Sequence, residues 1–145
     1  MQTLNSDDDS AIIALLKNVK TIAVVGLSPK TNRPSYRVAR NLQSFSYTIV
    51  PVRPAVKEIL GEKVYKVLAD IPFKPDLVNV FRASQHVDSI VDSCIELGIT
   101  KIWLQEGVVD HDAQEKAHNA GISLIMNRCI YKEIVRLGIK QNNNV

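Results

Sequence analysis

The sequence predicts an α/β fold: a doubly wound, Rossmann-like parallel sheet with helices on both faces. Three observations carry this prediction. Apolar, β-branched runs recur at Thr21–Val25, Tyr47–Val52, Asp76–Phe81, Lys101–Leu104 and Ile122–Ile125. These runs are largely continuous rather than alternating, as strands covered on both faces require. Segments of helical period, about ten to fifteen residues long, lie between them, which is the pattern of a parallel sheet. No internal repeat or linker interrupts the 145 residues, so residues 1–145 are expected to form one domain.

Each element has a local reason. Ser6 followed by Asp9 reads as a helix start, and Ile12, Ile13, Leu15, Leu16 and Val19 form one apolar stripe within residues 1–19. Thr21–Val25 is the first strand and ends at Gly26. A polar loop with two prolines leads to a helix over Ser35–Ser44, with Val38, Ala39 and Leu42 inward. After the Tyr47–Val52 strand, Pro54–Leu60 reads as a short helix or turn, and Lys63-Val64-Tyr65 as a very short strand. Ser84 is placed to cap a helix that carries Val87, Ile90, Val91, Cys94 and Leu97 and closes at Gly98. Asp110 opens the next helix and Gly121 closes it; Ile130–Leu137 is the last. Residues 140–145, with Gln141-Asn142-Asn143-Asn144, read as a frayed polar tail.

Composition excludes several classes. A hydrophobic fraction of 46% and a charged fraction of 23% are those of an ordinary globular chain. A net charge of +3 does not call for nucleic acid. The longest apolar runs are about five residues, against the ~20 of a membrane span. The first residues have no cationic start or apolar core, and two cysteines make no disulfide scaffold. The expected location is therefore the cytoplasm, with no membrane partner.

Function is expected at one edge of the sheet. Doubly wound sheets bind ligands beyond the carboxyl ends of their strands. Lys30, Arg33, Arg53 and Arg82 all follow strands on that edge, with Arg37 and Arg40 on the helix beside it. Surface cations are commonly just solvated, but four on one edge, beside a helix start, point to a phosphorylated ligand. An NAD site wants G-x-G-x-x-G after the first strand and an acid after the second. Here a lone Gly26 stands in the first place and Arg53 in the second. Arginine there suits a ribose carrying its own phosphate, as in NADP or coenzyme A (CoA). The missing glycine turn counts against NADP, and no P-loop occurs.

At these residues the chain resembles the CoA-binding protein family, whose fold is like the N-terminal CoA-binding domain of the succinyl-CoA synthetase α subunit. The resemblance runs from about Ala11 to Leu137. It is carried by Gly26-Leu27-Ser28-Pro29-Lys30 with Arg33-Pro34-Ser35, by Val80-Phe81-Arg82, and by Trp103-Leu104-Gln105-Glu106-Gly107-Val108. Val52-Arg53-Pro54 stands where the family usually has Val-Asn-Pro, and Met126-Asn127-Arg128-Cys129 where Met-Asp-Arg-Cys is usual. The resemblance implies a strand order 3-2-1-4-5-6 with Lys63–Tyr65 as the short third strand. It implies that Gly26, Leu27 and Ser28 cradle phosphate with backbone N–H groups, the glycine allowing the backbone to approach the ligand. Lys30 and Arg33 would neutralise the diphosphate or 3′-phosphate, and Ser35 and Tyr36 would hydrogen-bond or stack. Arg53 and Pro54 would border the adenosine, with Phe81 and Arg82 lining the same groove. Asn127 in place of Asp would weaken an ion pair at Arg128.

No catalytic or metal set is evident. His86, His111 and His118 read as exposed helix residues, Cys94 as core, and Cys129 as a small buried residue at a helix start. Glu106 reads as a salt-bridge or capping residue. The expected function is a binding module for CoA or an acyl-CoA, too short for a complete ligase. The competing readings are an NADP-dependent reductase-like protein and a CoA-sensing subunit that regulates a protein partner. A homo-oligomer is a further candidate assembly.

Overall fold

The computed structural model describes residues 8–140. Helix α1 spans Asp9–Asn18, and its cap is Asp8, whose carboxylate accepts the Ser10 N–H at 3.2 Å. Ser6 and the polar tail from Gln141 lie outside the described residues. Strand β1 (Thr21–Val25) leads to α2 (Pro34–Ser44) and β2 (Thr48–Val52). A small antiparallel hairpin follows, β3 (Glu58–Ile59) and β4 (Glu62–Lys63). Then come β5 (Leu77–Val80), α3 (Val87–Leu97), β6 (Lys101–Leu104), α4 (His111–Asn119), β7 (Ser123–Ile125) and α5 (Ile130–Leu137).

Five strands form one parallel sheet in the order β2-β1-β5-β6-β7. The central β1 shows why its sequence is a continuous apolar run. Ile22 and Val24 join one core layer with residues of α1, α2 and α5, while Ala23 and Val25 join another with α3 and α4. Trp103 is fully buried in the first layer, and its indole N–H donates to the Arg128 carbonyl at 2.8 Å. At the amino end of the sheet, the Asp76 carboxylate accepts the N–H groups of Lys20 (2.9 Å) and Thr21 (3.1 Å). Burial pushes that carboxyl up, but these bonds and the Thr21 hydroxyl outweigh it and hold its pKa below the usual range.

Two local expectations change and a third narrows. Lys63–Tyr65 is not a strand of the sheet: Lys63 pairs with Glu58 in the hairpin, and only Tyr65 reaches β2, through one parallel bridge to Val52. The six-strand order is thereby reduced to five strands plus a bridge. Of the helix or turn expected over Pro54–Leu60, the turn forms: it lies at Pro54-Ala55, with Ala55 at φ 68°, and the chain then enters β3 and a second turn at Leu60 (φ 55°). Ser84 does not cap α3. It opens a 3₁₀ turn, Ser84–His86, and its hydroxyl oxygen accepts the Val109 N–H at 2.9 Å, joining the loops after β5 and β6. Among the described residues, no helix is long and apolar enough to cross a membrane.

Candidate functional site

The carboxyl edge of β1, β2 and β5 carries two adjoining cavities. The first, about 430 Å³, is lined by Val25, Val52, Val67, Leu68 and Ile90 as apolar wall, with Gly26, Arg53, Pro54, Lys66, Arg82, Ser89 and Ser93. The second, about 490 Å³, is lined by Gly26, Ser28, Pro29, Lys30, Arg33, Pro34, Ser35, Arg53 and Phe81. Gly26 and Arg53 line both, so the two form one groove. Five cations border it, and no carboxylate does. Among the described residues, none of the five pairs with an acid. Their field therefore reaches the groove uncancelled.

The loop after β1 is built to hold this shape. Ser28 donates its N–H to the buried Ser35 hydroxyl oxygen at 3.0 Å, and its own hydroxyl oxygen accepts the Lys30 N–H at 3.1 Å. Helix α2 begins with Pro34 in its first turn and has no side-chain cap. The N–H groups of Ser35 and Tyr36 meet no acceptor among the described residues. An uncapped helix start bordering a cationic groove adds to its attraction for anions.

The placement of the sequence candidates is uneven. Ser28, Lys30, Arg33, Ser35, Arg53, Pro54, Phe81 and Arg82 line the groove, as does Gly26. Leu27 and Tyr36 do not: Leu27 is fully buried in the core, and Tyr36 packs against the same apolar layer. Of the backbone cradle expected of Gly26, Leu27 and Ser28, two N–H groups are already engaged inside the protein: Gly26 N–H donates to the Val52 carbonyl (2.9 Å) and Ser28 N–H to Ser35. Gly26 also has a different reason to be glycine. At φ +88°, a Cβ there would lie 2.3 Å from the Phe81 carbonyl oxygen and 2.9 Å from Arg82 Cδ. Its missing side chain makes room for the neighbouring strand's own backbone. Ser35 keeps a hydroxyl hydrogen free to donate, because its oxygen is the acceptor of the Ser28 bond.

Sequence reasoning missed Lys66, Ser89 and Ser93. The signal for Lys66 was present, because it follows Tyr65 on the segment read as a short strand. Nothing local marks Ser89 and Ser93, which enter only because α3 packs beside the edge.

The other end of the same edge, beyond β6 and β7, is arranged differently. Arg128 donates to Glu133 at 2.9 Å, and Arg136 to Glu133 at 2.7 Å and to Asp9 at 2.8 Å. These guanidinium groups hold the Glu133 carboxyl below its usual pKa against the opposing effect of burial. Thus Arg128 finds a carboxylate although Asn127 replaces the usual acid. Asn127 instead sits at φ +62° and accepts the Gly107 N–H at 2.8 Å, tying the two loops together. Glu106 pairs with Lys132 at 3.0 Å, and the Gln105 side-chain oxygen accepts the Ile130 N–H at 3.2 Å at the start of α5. Cys94 and Cys129 are both buried, and burial pushes the Cys94 thiol up to about 12. Among the described residues, no three His, Cys, Asp or Glu side chains converge as a metal set.

A parallel α/β sheet with a cationic groove at its carboxyl edge sets the class of protein, and comparison with known proteins narrows it. The family described as CoA binding domain matches residues 20–134, and the chain belongs to that family. It is 34% identical over 127 residues to the uncharacterized protein YneT of Bacillus subtilis, covering 88% of this chain and 94% of YneT. It is 26% identical over 121 residues to ADP-forming acetate–CoA ligase I of Archaeoglobus fulgidus, covering 77% of this chain but 18% of the ligase. A solved hypothetical protein from Pyrococcus horikoshii matches with a TM-score of 0.87 and 33% identity, covering 94% of this chain and 96% of that one.

Proposed function

We propose that this protein is a Rossmann-like, single-domain binding module that takes CoA or an acyl-CoA in the groove at the carboxyl edge of β1, β2 and β5. The observation that carries this reading is the set of five cations around the groove with no carboxylate among its lining residues. CoA brings a diphosphate and a ribose phosphate, and a groove that concentrates uncancelled positive charge suits it. Lys30, Arg33 and the start of α2 are placed for the diphosphate. Arg53, Pro54 and Arg82 border the nucleoside, and Phe81 offers an aromatic face beside it. Membership of the CoA-binding family supports the same ligand. The described residues offer no catalytic constellation at the groove, so binding rather than ligation is the proposed activity.

The test is calorimetry with CoA on the full chain and on two variants. Arg33→Ala and Arg82→Ala are each expected to weaken CoA by about 1–2 kcal/mol, the scale of a charge-assisted hydrogen bond. Melting temperature should not move. Unchanged affinity in both variants would place the ligand elsewhere.

A further inference from the structure

The five cations of the groove fall into two groups. Lys30 and Arg33 line only the cavity beside α2, while Lys66 and Arg82 line only the apolar cavity; Arg53 lines both. If the CoA reading holds, the diphosphate next to α2 leaves a second phosphate to be received on the apolar side. We propose that Lys66 and Arg53 form a two-cation clamp for the 3′-phosphate of CoA, and that the protein thereby selects ligands whose ribose carries a phosphate monoester.

The fold shows how Lys66 reaches this place. Tyr65 donates its N–H to the Pro51 carbonyl at 3.0 Å, and its carbonyl accepts the Arg53 N–H at 2.9 Å. This single bridge beyond β2 carries the chain alongside Arg53 and delivers residue 66 to the cavity rim. A phosphate monoester has a charge of about −1.5 to −2 at neutral pH, whereas each bridging phosphate of a diphosphate carries about one. The more highly charged group calls for more than one cation. The wall beneath is apolar, from Val25, Val52, Val67, Leu68 and Ile90, and fits a flat base. Ser89 and Ser93, four apart on α3, add hydroxyls on the facing side. An unphosphorylated ribose is held by an acid in dinucleotide sites of this architecture, and no acid lines this cavity.

The clamp can be tested separately from CoA binding itself. Calorimetry at fixed ionic strength would compare CoA with dephospho-CoA, adenosine 3′,5′-bisphosphate with AMP, and NADP, on the full chain, Lys66→Ala and Lys66→Arg. Lys66 is exposed, so matched melting curves are expected for all three. The clamp predicts that the 3′-phosphate improves affinity about tenfold in both pairs. Lys66→Ala should cut that preference to about threefold, weakening CoA more than dephospho-CoA, and Lys66→Arg should restore it. CoA and dephospho-CoA binding equally, or a preference indifferent to Lys66→Ala, would overturn the clamp and leave the CoA reading standing. NADP matching CoA would overturn it by moving the phosphate to the 2′ position. Binding of neither CoA nor dephospho-CoA would remove the CoA reading and the clamp with it.

Discussion

The two halves of the sheet's carboxyl edge carry the same kind of residue with opposite consequences. Around β2, β1 and β5, Lys30, Arg33, Arg53, Lys66 and Arg82 border a groove whose lining contains no carboxylate. Beyond β6 and β7, Arg128 and Lys132 each meet a carboxylate and Arg136 meets two. A paired cation has its field cancelled locally and holds two elements together. An unpaired one attracts an anion from outside. On the proposed reading the first half receives a ligand, whereas the second fastens α5 to α1 and to the loops after β6 and β7. Net charge alone does not reveal this division, because it sums both halves.

The largest effect is expected at Gly26, which lines both cavities of the groove. Gly26→Ala combines a positive φ with a 2.3 Å approach to the Phe81 carbonyl, and should cost about 3 kcal/mol in urea unfolding. CoA binding should fall with it, since Arg82 lies against the same site. On the fastening half, Glu133→Ala removes the acceptor of both Arg128 and Arg136 and is expected to cost about 2 kcal/mol of stability. CoA affinity should be unchanged; a parallel loss of binding would mean that the halves are not independent.

The same half, with Asp76 at the amino end of the sheet, sets the response to acid. Glu133, Asp9 and Asp76 have folded pKa values below their ordinary ones. Their contribution is present above the unfolded carboxylate values of about 4 and is lost as pH falls through the lowered folded values. Stability by urea titration should thus be level near neutrality and decline below about pH 4, less steeply in Glu133→Gln.

Placing an acid where the binding half has none gives a smaller effect. Ser89→Asp in the cavity wall should weaken CoA about tenfold, or about 1.4 kcal/mol, by calorimetry, with stability little changed. The smallest effect is expected for Lys132→Ala. Its pair with Glu106 is exposed on both sides (67% and 56%), and its loss should move unfolding by no more than about 0.5 kcal/mol.

Much of this was legible in the sequence. The strands of the sheet, the helices α2 to α5 and the cationic edge follow from local pattern, because β-branched runs, helical spacing and terminal glycines act over a few residues. Lys30, Arg33, Arg53 and Arg82 could be placed on the groove's edge because strand ends can be read from such runs. The failures share a cause. Tyr65 makes one bridge rather than a strand, and Ser84 bonds a loop rather than a helix start. Each depends on a partner distant in sequence: Val52 and Val109 respectively.

Local pattern along the chain is enough for the fold class, the helices and strands of the sheet, and the abundance of cations after the strands. Which cations keep their charge unopposed depends on contacts made through space. Folding brought Glu133 to Arg128 and Arg136, put Lys66 beside Arg53 through a single bridge, and closed Gly26 against Phe81. The reason is physical. Local propensity acts through neighbours in the chain, whereas charge pairing and close approach act through space, and the chain must be folded before those distances exist.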